Sequence, residues 1–362
     1  MDSDDNTSGD DAEEFMVGLN ALTTQVQAAV SFMLLDSDEE QVADPRADSR
    51  LSVRFDLDQF SLDATIRLFR FNALQIRDIY TQMQMPLRFN LGNHMSIGRE
   101  EGICIALRRL AFPNRLYELE REFNRSESVL SRIINTVLLW VYHKYKALLE
   151  YHPSLDAQAI VAYSDAITTT WPTVERIYAF IDGTKQLHAR PLINQRILFS
   201  GHKRVHCLSW QAVITPNGLI SCLFGPLAGS VNDRSLLNQS GLLPRLAQID
   251  RINGKQYALY GDAGYYAREQ LSVPFSKPTS WAQKEFNRSM SVLRVSVEHG
   301  FAIVHRLFAY VCYKQQMKVG LQPTAAYFAA AVLFTNIHCS FNHNQVSIFF
   351  GLQPLTLQEY LS

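Results

Sequence analysis

Three runs rich in β-branched and aromatic residues, Arg176 to Ile181, Val205 to Ile214 and Leu219 to Leu227, limit the fold of this chain more than any other feature. The last two are joined by Thr215-Pro216-Asn217-Gly218, a turn signal between apolar strands. A chain punctuated in this way builds a sheet, and the sheet needs helices to cover it. The helices are legible further on. Asp233 to Ile249 reads as one, opened by Asn232. Gln256 to Tyr260 is a fourth strand, closed by Gly261-Asp262. Glu285 to Phe308 is a long helix with the stripe Phe286, Met290, Leu293, Val297, Phe301, Val304 and Phe308. Thr324 to Asn336 is alanine-rich and reads as buried. The pattern is α/β with a mixed sheet flanked by helices.

Upstream of Pro153 the periodicity is helical. Leu62 to Met83, Glu100 to Ala111, Arg115 to Phe123 and Glu127 to Leu148 carry apolar residues at turn spacing, the last capped by Ser126. A tight turn before the last helix outlines a helix-turn-helix, an all-α region that would expose Arg125, Ser128, Ser131, Arg132 and Asn135. The same spacing describes a plain helical bundle with a solvated basic face. Residues 1–14 and 36–50 are acidic, poor in aromatics and expected to be disordered, with a weak helix from Phe15 to Leu35 between them. The expected organisation is an acidic tail over 1–55, a helical region over 56–155, an α/β domain over 170–345 and a C-terminal tail over 346–362.

The formal net charge of −1 conceals a split. Residues 1–50 hold thirteen Asp and Glu against two Arg, which leaves +10 for the rest. Nearly all of that excess lies after residue 170, where 18 basic side chains face nine acidic ones. A basic globule attracts polyanions. The five cysteines form no Cys-x-x-Cys pair, so neither a disulfide framework nor a zinc ribbon is expected. His338, Cys339 and His343 match no common zinc spacing. The N-terminus lacks a basic leader, and the apolar run Ala325 to Phe334 is far short of the ~20 residues a membrane span needs. A soluble intracellular protein with no membrane partner is the expectation.

Three carboxylates fall where such a sheet presents ligands. Asp182 ends or interrupts the first strand, Asp262 follows the fourth, and Glu298 lies in the long helix. Oxygen donors without Cys or His favour hard cations, Mg²⁺ or Mn²⁺. Two such ions can promote phosphodiester transfer. Taken alone, Arg294 and Glu298 could equally be a surface ion pair. Between the first two acids runs a basic stretch: Lys185, His188, Arg190, Arg196, His202, Lys203, Arg204 and His206. It suits phosphate contact beside a carboxylate site, or a charged, protected sheet edge. Arg294 and His305 share the face of Glu298 and join the DNA-contact candidates, as do Arg125 and Arg132.

The segments FIDGT (180–184), SGHKRVHCLSWQAVITPNGLI (200–220), FGPLAGSVNDRSLLNQSGLL (224–243), GDAGYY (261–266) and EFNRSMSVLRVSVEHGFAIVHRLF (285–308) resemble, in order, the DDE endonuclease domain of PIF/Harbinger transposases. The helical region resembles the helix-turn-helix part that precedes that domain. The resemblance implies an RNase H-like fold with Asp182, Asp262 and Glu298 as the catalytic and metal-binding triad. It places Asn232-Asp233 on a His-Asp position of the family, with Asn replacing His, and makes Asp233 a secondary site residue. His299 stands where the family has an aromatic. It further implies a nuclear, metal-dependent enzyme, holding two ions, that cleaves double-stranded DNA at transposon ends and transfers the 3′-hydroxyl to a target. A Myb/SANT-like accessory protein and a homodimer go with that expectation. The competing readings are a domesticated DNA- or protein-binding factor that kept the fold, and a nuclease without strand transfer.

Overall fold

The structure, a computed structural model, describes residues 55–92, 94–192 and 194–362, with the side chains of 294–299 excepted. The expected acidic segments and the weak helix from Phe15 to Leu35 lie outside the described residues.

Polar side chains close the helix starts of the N-terminal half, as the sequence leads one to expect. Ser61 Oγ accepts from Ala64 N ahead of α1 (Leu62–Phe69), and Asn72 and Gln75 cap α2 (Ala73–Gln82) reciprocally. One helix was expected over 62–83, but the chain breaks at Arg70, which adopts a left-handed conformation (φ 71°). An antiparallel hairpin, β1 (Arg88–Gly92) and β2 (Met95–Gly98), then interrupts the helical region. Three helices follow: α3 (Arg99–Ala111), α4 (Leu116–Phe123) and α5 (Glu127–Glu150).

The turn at 124–126 is present, yet α5 is an interior helix. Leu130, Ile133, Ile134, Val137 and Leu138 are wholly buried. Of the residues expected to read DNA, Ser128 and Arg132 are exposed and Ser131 is half-buried. Arg125 is held by Glu101 in a two-point ion pair at 2.9 and 3.1 Å, and Asn135 accepts from Tyr327 Oη at 2.9 Å. A further helix, α6 (Ala157–Thr170), capped by Asp156, precedes the sheet.

The sheet begins with β3 (Ile177–Leu187). After the short α7 (Gln195–Leu198) come β4 (Phe199–Ser200), β5 (Val205–Ile214) and β6 (Ile220–Ala228). The expected helix over 233–249 is two, α8 (Asp233–Ser240) and α9 (Leu242–Leu246), parted at Gly241, whose φ of 62° only glycine adopts without cost. A small hairpin, β7 (Arg251–Ile252) and β8 (Lys255–Gln256), leads into β9 (Ala258–Tyr260) and β10 (Leu271–Ser272). The chain closes with α10 (Trp281–Leu307), α11 (Thr324–Phe341), α12 (Gln345–Phe350) and α13 (Leu357–Leu361).

Strand order is β10-β9-β3-β5, and the far edge of β5 pairs with β4 and then β6. The pairs β3–β5, β4–β5 and β5–β6 are antiparallel, whereas β3–β9 and β9–β10 are parallel, so the sheet is mixed. Strand alternation sends the two faces into different cores. Phe180, Trp210, Ala212, Ile214 and Tyr260 face a large core shared with α5, α10 and α11, which also encloses the N-terminal helices. Ala179, Ile181, Val213 and Leu259 face a smaller one with α6, α8 and α9. The helical region and the sheet therefore share one hydrophobic interior.

Helix α11 is long and apolar enough to cross a membrane by length and composition, but it lies 78% buried inside the fold. Its alanines 326, 329, 330 and 331 let it pack closely on α5. Its Asn336 bonds both backbone groups of Ile220, satisfying an edge of β6 that no strand among the described residues pairs. The segment 346–362, expected as a tail, folds back: Tyr360 is 1% exposed and stacks on His152.

Candidate active site

Asp182 does not end β3. It sits mid-strand opposite Ala212 of β5, on the face that carries Phe180 and Ile214. Asp262 follows β9 on the other side of β3, where Phe180 pairs with Tyr260 in parallel. Each aspartate thus stands two residues beyond a paired aromatic, at the same level of neighbouring parallel strands. Period-two alternation sends both toward one face. Helix α10 lies on that face: Phe286 meets Tyr260 edge-on at 6.0 Å, and a methyl built on Gly300 would sit 2.6 Å from Ile214 Cδ1. Glu298 is on the same turn of α10 as Gly300; its side chain, like those of Arg294 and His299, lies outside the described ones.

The Asp262 carboxylate is fixed by its own loop, Oδ1 accepting from Gly264 N at 2.8 Å. Asp233 opens α8, where Asn232 caps the helix by accepting from Ser235 N at 2.9 Å. It reaches the site across two glycines. A methyl on Gly183 would lie 2.3 Å from Asp233 Oδ1. One on Gly264 would lie 2.8 Å from Asp262 Oδ1 and 3.5 Å from Asp233 Oδ2. The two carboxylates therefore face each other over Gly264. Burial raises the Asp233 carboxyl above the usual range and the negative Asp262 adds to the rise, while Lys185, Lys203 and His202 oppose it.

Beneath these acids lies Tyr265, 3% exposed, whose hydroxyl accepts from Gln211 Nε2 at 3.1 Å. Burial drives its phenol upward, and the charges of Asp233, Asp182 and Asp262 push it further. One buried phenol thus lies within reach of all three aspartate charges, and Gln211 fixes its hydroxyl. Arg234 is a second residue that the sequence reading passed over. Its Nε donates to Gly264 O at 2.7 Å and its Nη1 to Tyr266 Oη at 2.6 Å, which clamps the Asp262 loop to α8. The only sequence signal for either was position: Arg234 follows Asp233, and Tyr265-Tyr266 follows Gly264.

The basic stretch divides by strand alternation. Lys185 points inward, donating to Ser209 Oγ at 2.7 Å and Val231 O at 2.9 Å, and burial lowers its ammonium below the ordinary lysine value. His188 is 3% exposed and pushed down to about 4 by burial and then by His206, so at neutral pH it carries no charge for a phosphate. His305 is also lowered by burial. His202, Lys203 and Arg204 are exposed on the β4–β5 turn, and Arg190 is exposed with Nε on Gln195 Oε1.

Among the described residues, no three His, Cys, Asp or Glu side chains come together closely enough to hold one ion as they stand. The donor set nevertheless suits a hard divalent cation. Asp182 and Asp262 supply only carboxylate oxygens at one level of the sheet, and the mutual repulsion felt at Asp233 is of the kind a cation offsets.

A family model described as DDE superfamily endonuclease matches residues 181–336. Protein ALP1-like from Arabidopsis thaliana is 24% identical over 227 residues, covering 57% of this chain and 52% of that protein. The chain thus spans about half the length of the curated relative it matches. No solved structure matches. The resemblance to Harbinger-type transposases is borne out, and residues 181–336, which contain Asp182, Asp262 and Glu298 together with most of the sheet, are similar to DDE superfamily endonucleases.

Proposed function

We propose that this chain is a divalent-metal-dependent nuclease of the transposase type, acting on double-stranded DNA. The observation that carries the reading is the register of Asp182 and Asp262, each two residues beyond the Phe180–Tyr260 pair, on the sheet face covered by the Glu298 turn of α10. The strand order supports an RNase H-like fold: a three-stranded antiparallel meander (β3, β5, β6) extended by two parallel strands on the open side of β3. Asp182, Asp262 and Glu298 would hold Mg²⁺ or Mn²⁺, which when bound supplies the positive charge that activates an attacking oxygen and steadies a leaving one. Asp233 sets the negative field beside Asp262, and Arg234 holds the Asp262 loop in place. The exposed His202, Lys203 and Arg204 turn is the phosphate contact nearest the acids. Strand transfer of the 3′-hydroxyl, a nuclear setting, a Myb/SANT-like partner and action as a dimer belong to the same proposal.

The test is nicking of supercoiled plasmid in Mg²⁺ or Mn²⁺ against EDTA. Asp182→Ala and Asp262→Ala should each lower the rate by roughly a hundredfold or more with the fold unchanged by circular dichroism. Equal nicking by wild type and both variants refutes the reading. The competing reading is a DNA- or protein-binding factor that kept the fold. Full-affinity DNA binding in EDTA with no nicking in either metal selects it.

A further inference from the structure

Tyr265 and Tyr266 are consecutive, yet they meet opposite environments. Tyr265 is buried, whereas Tyr266 is 59% exposed. An exposed tyrosine ordinarily turns freely, but this one is fastened. The Arg234 guanidinium lies 3.7 Å over the ring centroid, and Arg234 Nη1 donates to its hydroxyl at 2.6 Å. The guanidinium covers one ring face only. Arg234 is fixed in turn by Gly264 O, and Gly264 N holds the Asp262 carboxylate. An unbroken chain of hydrogen bonds therefore ties an open aromatic face to the reacting centre.

Tyr266 belongs to neither core cluster of the sheet, so beyond its contact with Arg234 the ring adds no buried apolar packing to the fold. It does prepare a surface. A rigid ring with a cation behind it has lost its rotational freedom before anything binds, so a flat partner stacks on it without that entropic cost. Fully paired DNA offers no free base face to such a ring. An unpaired nucleotide does.

We propose that Tyr266, held by Arg234, is the stacking platform for one unpaired nucleotide of the DNA strand whose backbone lies at Asp262. The substrate form is then a frayed or flapped end rather than a continuous duplex. This rests on DNA being the substrate.

The test is fluorescence anisotropy in EDTA, where nothing is cleaved, with two probes: a blunt duplex and the same duplex with a single-stranded flap of about five nucleotides. Wild type should bind the flapped probe more tightly. Tyr266→Ala should cut flap affinity about tenfold, roughly 1.4 kcal/mol, with blunt affinity unchanged. Tyr266→Trp should restore it, because the indole stacks without the hydroxyl. 2-Aminopurine placed in the flap should be quenched by wild type and by the Trp variant, not by Ala. A loop staple alone would give another pattern: Tyr266→Ala would weaken both probes alike, Trp would not rescue, and the proposal would fall. Wild-type binding to blunt DNA with no effect of Tyr266→Ala on the flap overturns the platform and spares the DNA reading. Absence of binding to either probe overturns both.

Discussion

Gly183→Ala tests the geometry of the site without touching a charge. The new methyl would lie 2.3 Å from Asp233 Oδ1 and 2.9 Å from its Cγ. Such atoms come to rest near ~3.5 Å, so the carboxylate has to retreat by roughly 1 Å. Asp233 sits on the first turn of a helix fixed by the Asn232 cap and by buried Leu236, which leaves it little slack. Overpacking of this kind costs about 1–3 kcal/mol. The decisive comparison is the same substitution in an Asp233→Ala background. There the methyl meets no carboxylate, and alanine in a strand is better than glycine by about 0.5–1 kcal/mol. Urea denaturation of the four chains, followed by tryptophan fluorescence, gives the coupling as a double-mutant cycle. A destabilisation that disappears or changes sign when Asp233 is shortened supports the contact. A Gly183→Ala cost that is equal in both backgrounds refutes the placement of Asp233 over β3.

Two further outcomes follow from buried polar groups. His188 is held down to about 4, below the ordinary imidazole range, so the folded state prefers it neutral. Its contribution to stability is complete above the unfolded value of about 6.5 and is lost as pH falls toward 4, at most about 3 kcal/mol. His188→Leu should flatten urea-denaturation stability over that window, and an unchanged slope would count against the burial argument. Lys185→Met leaves Val231 O without its donor and removes a cation that steadies Asp233, at a cost of about 1–3 kcal/mol. A loss under ~0.5 kcal/mol by the same assay would show the ammonium to be dispensable.

The parts of the fold written in short-range pattern were legible. The Thr215–Gly218 reversal forms as read, with Gly218 N donating to Thr215 O. The stripe on α10 buries Met290, Leu293, Val304 and Phe308 completely. Elements with mixed signals escaped. Helix α6 is rich in threonine and isoleucine, whose strand preference hides its periodicity. The β1–β2 hairpin alternates, with Phe89 and Leu91 buried, but over too few residues to stand out, and its register shifts near Gly92. The break between α1 and α2 falls on Arg70, a residue type that gives no warning of a left-handed turn.

At the site, sequence located acids near strands but could not say which would meet. That depends on register: Asp182 opposite Ala212, and Phe180 beside Tyr260, are facts of strand pairing between residues far apart in sequence. The same limit governs the cations. Lys185, His188, Lys203 and Arg204 form one basic stretch on paper, but alternation along β3 turns the first toward Ser209 and Val231 and buries the second. A side chain contributes to phosphate binding only with charge not already engaged. By that criterion the exposed 202–204 turn outranks Lys185 and His188, although Lys185 is the closest of the four to Asp182 in sequence. The inward cation has the different task of opposing the rise that burial and Asp262 impose on the Asp233 carboxyl.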